Sequence, residues 1–123
     1  MEKLTPQEEE LMLIIWQQGN GILKNFINAM EEPHPPYTTV ASTIKNLERK
    51  GYVAGELFGN TYRYTPLISE NEYKTKFMSG IVSNYFENSY AEMVSFFAKK
   101  QKISAKELQE IIKLIEEGDE TSK

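Results

Sequence analysis

The 123-residue sequence has no cysteine and a single histidine. The lack of thiols excludes disulfides, cysteine-based catalysis and cysteine-ligated zinc or copper. His34 lies in a proline-bounded loop, and one histidine supplies neither a catalytic triad nor a multi-histidine metal site within one chain. Gly19 and Gly21 are not followed by the Gly-Lys-Ser or Gly-Lys-Thr of a phosphate-binding loop. We therefore expect no enzymatic activity, no metal and no cofactor.

Long hydrophobic runs are also missing. No apolar stretch approaches the ~20 residues needed to cross a bilayer, and the first ten residues, MEKLTPQEEE, show no signal-peptide pattern. We expect a cytoplasmic protein that does not insert into membranes.

Positive charge is scarce as well, since the formal net charge is -4. Acidic clusters lie near both ends of the chain, at residues 8–10 and 116–120. The stretch 24–63 instead holds five basic and four acidic residues, a net charge of +1. Charge alone therefore gives little support for a nucleic-acid partner, and the argument depends on where the cations lie.

Three helices are predicted in the first half. Thr5-Pro6-Gln7-Glu8 is a capping box with proline at the first helical position, and the helix it opens ends at Gly19 and Gly21. A short second helix spans about residues 22–30, and the prolines of residues 33–36 prevent its continuation. The third helix runs from about Pro36 to Lys50, and Gly51 ends it.

The two faces of the third helix differ in chemistry. Apolar positions spaced by three and four residues predict a buried stripe of Tyr37, Val40, Ile44 and Leu47. The opposite face has no acidic residue and carries hydroxyls, an amide and cations, which suit phosphates and base edges in a major groove. The predicted DNA-contacting residues of this helix are Thr38, Thr39, Ser42, Lys45, Asn46, Arg49 and Lys50. Taken alone, such a face is also typical of an ordinary solvated surface.

The next segment strengthens the DNA-binding interpretation. Residues 52–57 and 61–65 are rich in aromatic and β-branched residues and flank a Phe58-Gly59-Asn60 turn, which predicts a β-hairpin. Three helices followed by a hairpin form a winged helix-turn-helix, and Asn60 and Arg63 on the wing are predicted to contact the DNA backbone. The predicted fold is mainly α with a small β-hairpin wing.

The C-terminal half is predicted to be helical. Ser69 and Glu72 form a second capping box, a shorter helix covers residues 90–99, and Ser104 with Glu107 opens another helix. Their apolar faces have no evident core within one chain, so we expect them to pair across a twofold axis in a homodimer. The predicted dimerisation residues are Tyr73, Phe77, Ile81, Tyr85, Met93, Phe97, Leu108, Ile111, Ile112 and Ile115. The resulting organisation is a winged-helix domain at 1–68, a helical dimerisation region at 69–118 and a disordered tail at 119–123.

Two alternatives stay open from the residues alone. Aromatic and methionine side chains of the C-terminal half, from Phe77 and Met78 to Phe96 and Phe97, would also suit an apolar small-molecule pocket. The weak central charge is also compatible with a winged helix that binds proteins rather than DNA.

Three stretches resemble the penicillinase-repressor family of BlaI/MecI and CopY type. They read LTPQEEELMLIIW, YTTVASTIKNLERKGYV and YRYTPLISENEY, and the resemblance covers most of the chain. It implies a homodimeric winged-helix repressor of β-lactam resistance or related stress genes that binds a palindromic operator. In resistance-type relatives, a membrane sensor metalloprotease triggers cleavage of the repressor in its C-terminal region.

The chain departs from this family pattern at several positions. Ala41 and Asn46 stand where relatives often have longer or basic side chains, so a different operator sequence is expected. The aligned cleavage region falls at Phe96 and Phe97, which lack the Asn-Phe bond of resistance repressors. The absence of cysteine argues against the copper-sensing branch.

Overall fold

The computed structural model describes the backbone of residues 2–121 and the side chains of residues 2–117. Its elements follow one another along the chain as α1 (Pro6–Gln18), β1 (Gly21–Ile22), α2 (Leu23–Asn28), α3 (Tyr37–Arg49), β2 (Val53–Phe58), β3 (Thr61–Pro66), α4 (Glu70–Tyr85), α5 (Tyr90–Lys99) and α6 (Ala105–Thr121). The predicted fold class is confirmed: a mainly helical chain with a small antiparallel sheet. No helix in the described part of the chain is long and apolar enough to span a membrane.

Local sequence signals set the helix starts. At α1, the Thr5 hydroxyl accepts a hydrogen bond from the Glu8 amide, and the Glu8 carboxylate accepts one from the Thr5 amide. The same reciprocal pair forms between Ser69 and Glu72 before α4. Ser104 and Glu107 repeat it before α6. Each box satisfies backbone N–H groups that have no partner within the helix.

The sheet has three strands in the order β1-β3-β2. The hairpin of β2 and β3 pairs Gly55 with Tyr64 and Leu57 with Tyr62, and Gly59 adopts a φ of 63° in the turn. The added strand β1 pairs Gly21 with Tyr64. Sequence analysis missed β1 because a two-residue strand leaves no alternation to detect.

The chain divides into two compact units, and the first comprises residues 1–75. Its core is formed by α1, α2, the inner side of α3 and the base of the wing; the buried apolar residues include Leu11, Met12, Ile15, Phe26, Val40, Ile44, Leu47, Tyr52, Val53, Tyr64 and Ile68. The indole Nε1 of Trp16 donates to the carbonyl of Ile68 at 2.8 Å. The unit extends past the predicted boundary at residue 68, because Tyr73 packs on Trp16 and Tyr52.

The second unit comprises residues 76–123. Val82 is its only buried side chain among residues 76–117. Ser89 caps α5 by accepting from the Glu92 amide, and Phe86 meets Phe96 edge to face with ring centroids 5.6 Å apart. The backbone of α6 continues to Thr121, so the described part of the predicted tail at 119–123 is helical, and residues 122 and 123 lie outside the described residues.

Candidate nucleic-acid interface

The outer face of α3 presents the chemistry that the sequence predicts. The side chains of Thr38, Thr39, Ser42, Lys45 and Arg49 are exposed, and Asn46 is half-buried. On the opposite side of the helix, Val40, Ile44 and Leu47 are almost fully buried in the core. This burial fixes the rotation of the helix, so the polar face points to solvent.

The cations of this face have only weak partners within the protein. Lys45 lies 3.7 Å from Glu48, and Arg49 lies 3.9 Å from Glu2, with both cations more than half exposed. A guanidinium N–H of Arg49 also donates to the Asn46 side-chain oxygen at 3.3 Å. Exposed ion pairs of this kind contribute little stability, so exchange of these partners for another anion costs little.

Lys50 requires a correction, because it does not belong to this face. Its ammonium pairs with the Glu8 carboxylate at 2.6 Å and donates to the Lys3 carbonyl at 3.0 Å. The two charged side chains are only 10% and 5% exposed. Lys50 directly follows α3, and its ion pair with Glu8 connects the C-terminal end of α3 to the start of α1. The charge of Lys50 is therefore not available to DNA.

Tyr37 also differs from the prediction. It was expected in the buried stripe, but it is 62% exposed. As the first residue of α3, it lies at the end of the helix, where the core no longer covers the apolar side. Tyr37 instead lines a cleft together with Tyr62 and Tyr64 of the wing.

The predicted wing residues fall on different sides of the hairpin. Asn60 is exposed at the turn. Arg63 is paired with Glu56 in the ladder, and its guanidinium lies 5.5 Å from the centre of the Phe58 ring. Side chains alternate along a strand, so Arg63 lies on the opposite face of the hairpin from Tyr62 and Tyr64. The face that carries the two tyrosines is turned toward α3. Sequence reasoning missed Tyr62. The Lys45 ammonium lies 5.2 Å from the centre of the Tyr62 ring.

The predicted dimerisation residues divide between the two units. Tyr73 belongs to the first unit, where its hydroxyl donates to Glu9 at 2.9 Å. In the second unit, Tyr85, Ile112 and Ile115 are 77%, 53% and 60% exposed. Phe77, Phe97 and Ile111 are also exposed, whereas Ile81, Met93 and Leu108 are partly buried.

Burial also shifts the pKa of two tyrosines of the first unit. It raises the pKa of Tyr64, and the carboxylate of Glu48 adds to the rise. Burial raises the pKa of Tyr73 as well, and the hydrogen bond to Glu9 acts in the same direction. Both hydroxyls therefore remain proton donors at neutral pH. Among residues with described side chains, no group of three or more His, Asp or Glu residues is placed to hold a metal ion.

Comparison with known proteins agrees with this architecture. The family model described as "Penicillinase repressor" matches residues 4–117. A protein from Bacillus licheniformis named "Penicillinase repressor" is 22% identical over 116 residues, which cover 94% of this chain and 91% of that protein. Because the family match spans both the winged helix and the C-terminal helices, this chain belongs to the penicillinase repressor family.

Proposed function

We propose that this protein is a transcriptional repressor that binds operator DNA as a homodimer, with α3 in the major groove. The observation that carries the proposal is the outer face of α3, which has exposed hydroxyls, an amide and two cations on a helix held by a buried opposite side. Family membership supports the same function. The net charge of -4 does not oppose it, because phosphates meet the local face rather than the whole protein.

Distinct roles follow from the chemistry of the face. Arg49 and Lys45 exchange their weak internal partners for phosphates and position the helix in the groove. Ser42 and Asn46, on the same face, read base edges through hydrogen bonds, since a hydroxyl and an amide both donate and accept.

The exposed apolar residues of the C-terminal helices support the proposed dimer. Tyr85, Ile112 and Ile115 would lose contact with water in a twofold pair, and burial of apolar surface contributes about 25 cal/mol per Å². A twofold dimer presents two α3 helices to a palindromic operator, whose half-sites lie one or more turns of about 34 Å apart. DNA reading and dimerisation then form one mechanism.

Fluorescence anisotropy tests the proposal with DNA from upstream of the protein's own gene and unrelated DNA as competitor. We expect binding that resists the competitor and weakens with salt, with a log-log slope of about -0.9 per phosphate neutralised. Arg49→Ala should weaken binding to all sequences, whereas Ser42→Ala or Asn46→Ala should change sequence preference. Binding that is absent at low salt would overturn the proposal and favour a protein-interaction module.

Operator geometry gives a second test of the dimer. Inserting about half a helical turn, ~5 base pairs, between the half-sites turns them to opposite sides of the duplex. We expect this insertion to reduce affinity strongly, while insertion of a full turn restores part of it. Equal affinity for all three spacings would contradict a twofold dimer on one operator.

Release through a membrane sensor metalloprotease stays a prediction from the resemblance. Phe96 and Phe97 lie inside α5, and Phe96 packs against Phe86. Cleavage between them requires local unwinding of α5, because a protease binds its substrate as an extended chain. Co-expression with a candidate sensor, followed by mass spectrometry of the fragments, would identify the cleaved bond or show that the repressor remains intact.

A further inference from the structure

A cleft of about 290 Å³ lies in the first unit beside the start of α3. Its other walls are the start of α2 and residues 60–62 and 64 of the wing. Its polar lining residues are Lys24, Tyr37, Asn60, Thr61, Tyr62 and Tyr64, and the remaining lining is apolar. No acidic side chain is among the lining residues.

The polar groups of the cleft are short of partners. The Lys24 ammonium has no ion pair or hydrogen bond to any residue in the described part of the chain. Tyr64 is only 5% exposed, and its hydroxyl has no hydrogen-bond partner among the described residues. Every buried side-chain polar atom among the described residues has a hydrogen-bond partner, so the unpartnered Tyr64 hydroxyl is exposed to solvent. Tyr64 borders open space at the cleft. A hydroxyl that is bonded only to solvent is free to donate to an acceptor that enters the cleft.

The cleft is continuous with the outer face of α3. Tyr37 precedes Thr38, the first residue of that face, and the Lys45 ammonium lies 5.2 Å from the centre of the Tyr62 ring. Glu48 is the nearest acidic group on α3, and it is paired with Lys45 at 3.7 Å. A helix lying in a major groove has a sugar-phosphate strand along each side, and the cleft is on the wing side of α3.

We propose that this cleft binds a backbone phosphodiester of the operator strand that borders the major groove on the wing side of α3. The Lys24 ammonium supplies the charge, the hydroxyls of Tyr37, Tyr62 and Tyr64 donate hydrogen bonds, and the tyrosine rings lie against the neighbouring sugar. The inference rests on the proposed function, because it requires α3 to lie in DNA. The volume is just below the ~300–1,000 Å³ of typical small-molecule pockets, and the exposed Tyr37 and Tyr62 leave the cleft open to a polymer.

Removal of the Lys24 charge tests the site. Lys24→Ala should weaken binding about tenfold per half-site to specific and unrelated DNA alike, and should reduce the magnitude of the salt slope by about 0.9 per protomer. Lys24→Arg should restore most of both quantities. The matched control is Lys74→Ala, which removes an equal charge from an exposed position on α4 and should leave affinity and slope unchanged.

The hydroxyls require a separate test. Tyr37→Phe and Tyr62→Phe keep the rings at exposed positions where folding does not depend on the hydroxyl, and each should weaken binding about three- to tenfold. Sequence preference should not change, because a phosphate contact carries no base information.

A double-mutant cycle with modified DNA locates the contact. A neutral methylphosphonate at each backbone position in turn should identify one position per half-site where wild-type affinity falls and Lys24→Ala affinity does not. If wild-type protein binds its operator but Lys24→Ala and the tyrosine variants bind equally well, the cleft proposal is overturned and the repressor function stands. If wild-type protein binds no DNA, the proposed function itself has failed.

Discussion

The two units of this chain differ in how many of their apolar side chains are buried. In the first unit, Leu11, Ile15 and Phe26 have no exposed surface. In the second, Ile112 and Ile115 on α6 are 53% and 60% exposed, although α6 is more amphipathic than α1. Burial of apolar surface is the main favourable contribution to folding, so the first unit has a core of its own, whereas the proposed dimer would cover the exposed apolar side chains of the second.

The largest difference between the units should appear when an isoleucine is shortened in each. Ile15→Ala removes a fully buried side chain from α1 and should lower the free energy of unfolding by about 2–5 kcal/mol. Ile112→Ala, the matched change on α6, should have little effect at low protein concentration and a larger one where dimers form. Urea unfolding at several concentrations measures both. A large, concentration-independent loss for Ile112→Ala would show that α6 is buried within its own chain.

The buried ion pair gives the next largest effect and belongs to the first unit alone. Burial raises the pKa of Glu8, but hydrogen bonds from Lys50 and Thr5 and the Lys50 charge outweigh it, so this pKa lies below its ordinary value of 4.5. Because the folded-state pKa is the lower one, the ionised carboxylate stabilises the fold above pH 4.5, and this contribution is lost as the pH falls through the folded value.

Glu8→Gln should therefore lower stability by about 2–3 kcal/mol at pH 7, since the Lys50 ammonium loses its charged partner. The loss relative to wild type should shrink as the pH falls below 4.5. Urea unfolding across this range measures it, with Glu10→Gln on the same helix as an exposed control. An equal loss for Glu8→Gln at every pH would mean that ionisation of Glu8 does not contribute.

A charge on the exposed face of α6 should affect association rather than folding. Ile112→Glu should raise the dimer dissociation constant at least about 30-fold, equivalent to ~2 kcal/mol, because a carboxylate would be desolvated in the interface. Sedimentation equilibrium measures this constant. Lys113→Gln lowers the net charge by the same amount at a neighbouring exposed position and should leave it unchanged. If Ile112→Glu remains as dimeric as wild type, another surface holds the dimer.

Local signals made much of this fold predictable from sequence. The capping boxes at Thr5, Ser69 and Ser104 depend on residues three apart, so their helix starts agree with the structure. The outer face of α3 was likewise predictable, because Val40, Ile44 and Leu47 define its buried side at helical spacing.

The differences arise where distant parts of the chain meet. Lys50 was expected to face DNA, but it pairs with Glu8, which is 42 residues away in sequence. The cleft brings together Lys24, Tyr37 and Tyr62 from three different elements. Periodicity within one helix or strand does not predict which residues of another element lie beside it. Such sites become visible only when the packing of the elements is known.

Removal of the Tyr73 hydroxyl should have the smallest effect on stability. It also distinguishes folding of the first unit from association through the second. The sequence placed Tyr73 in the dimerisation stripe with Phe77, whereas the structure packs its ring 5.4 Å from that of Trp16 and joins its hydroxyl to Glu9. Tyr73→Phe removes that hydrogen bond and keeps the ring, so stability should fall by about 0.5–1.5 kcal/mol. The dimer dissociation constant should not change, because the lost contact lies within one chain. Urea unfolding and sedimentation on the same samples separate the two quantities, and weaker association with unchanged stability would return Tyr73 to the dimer interface.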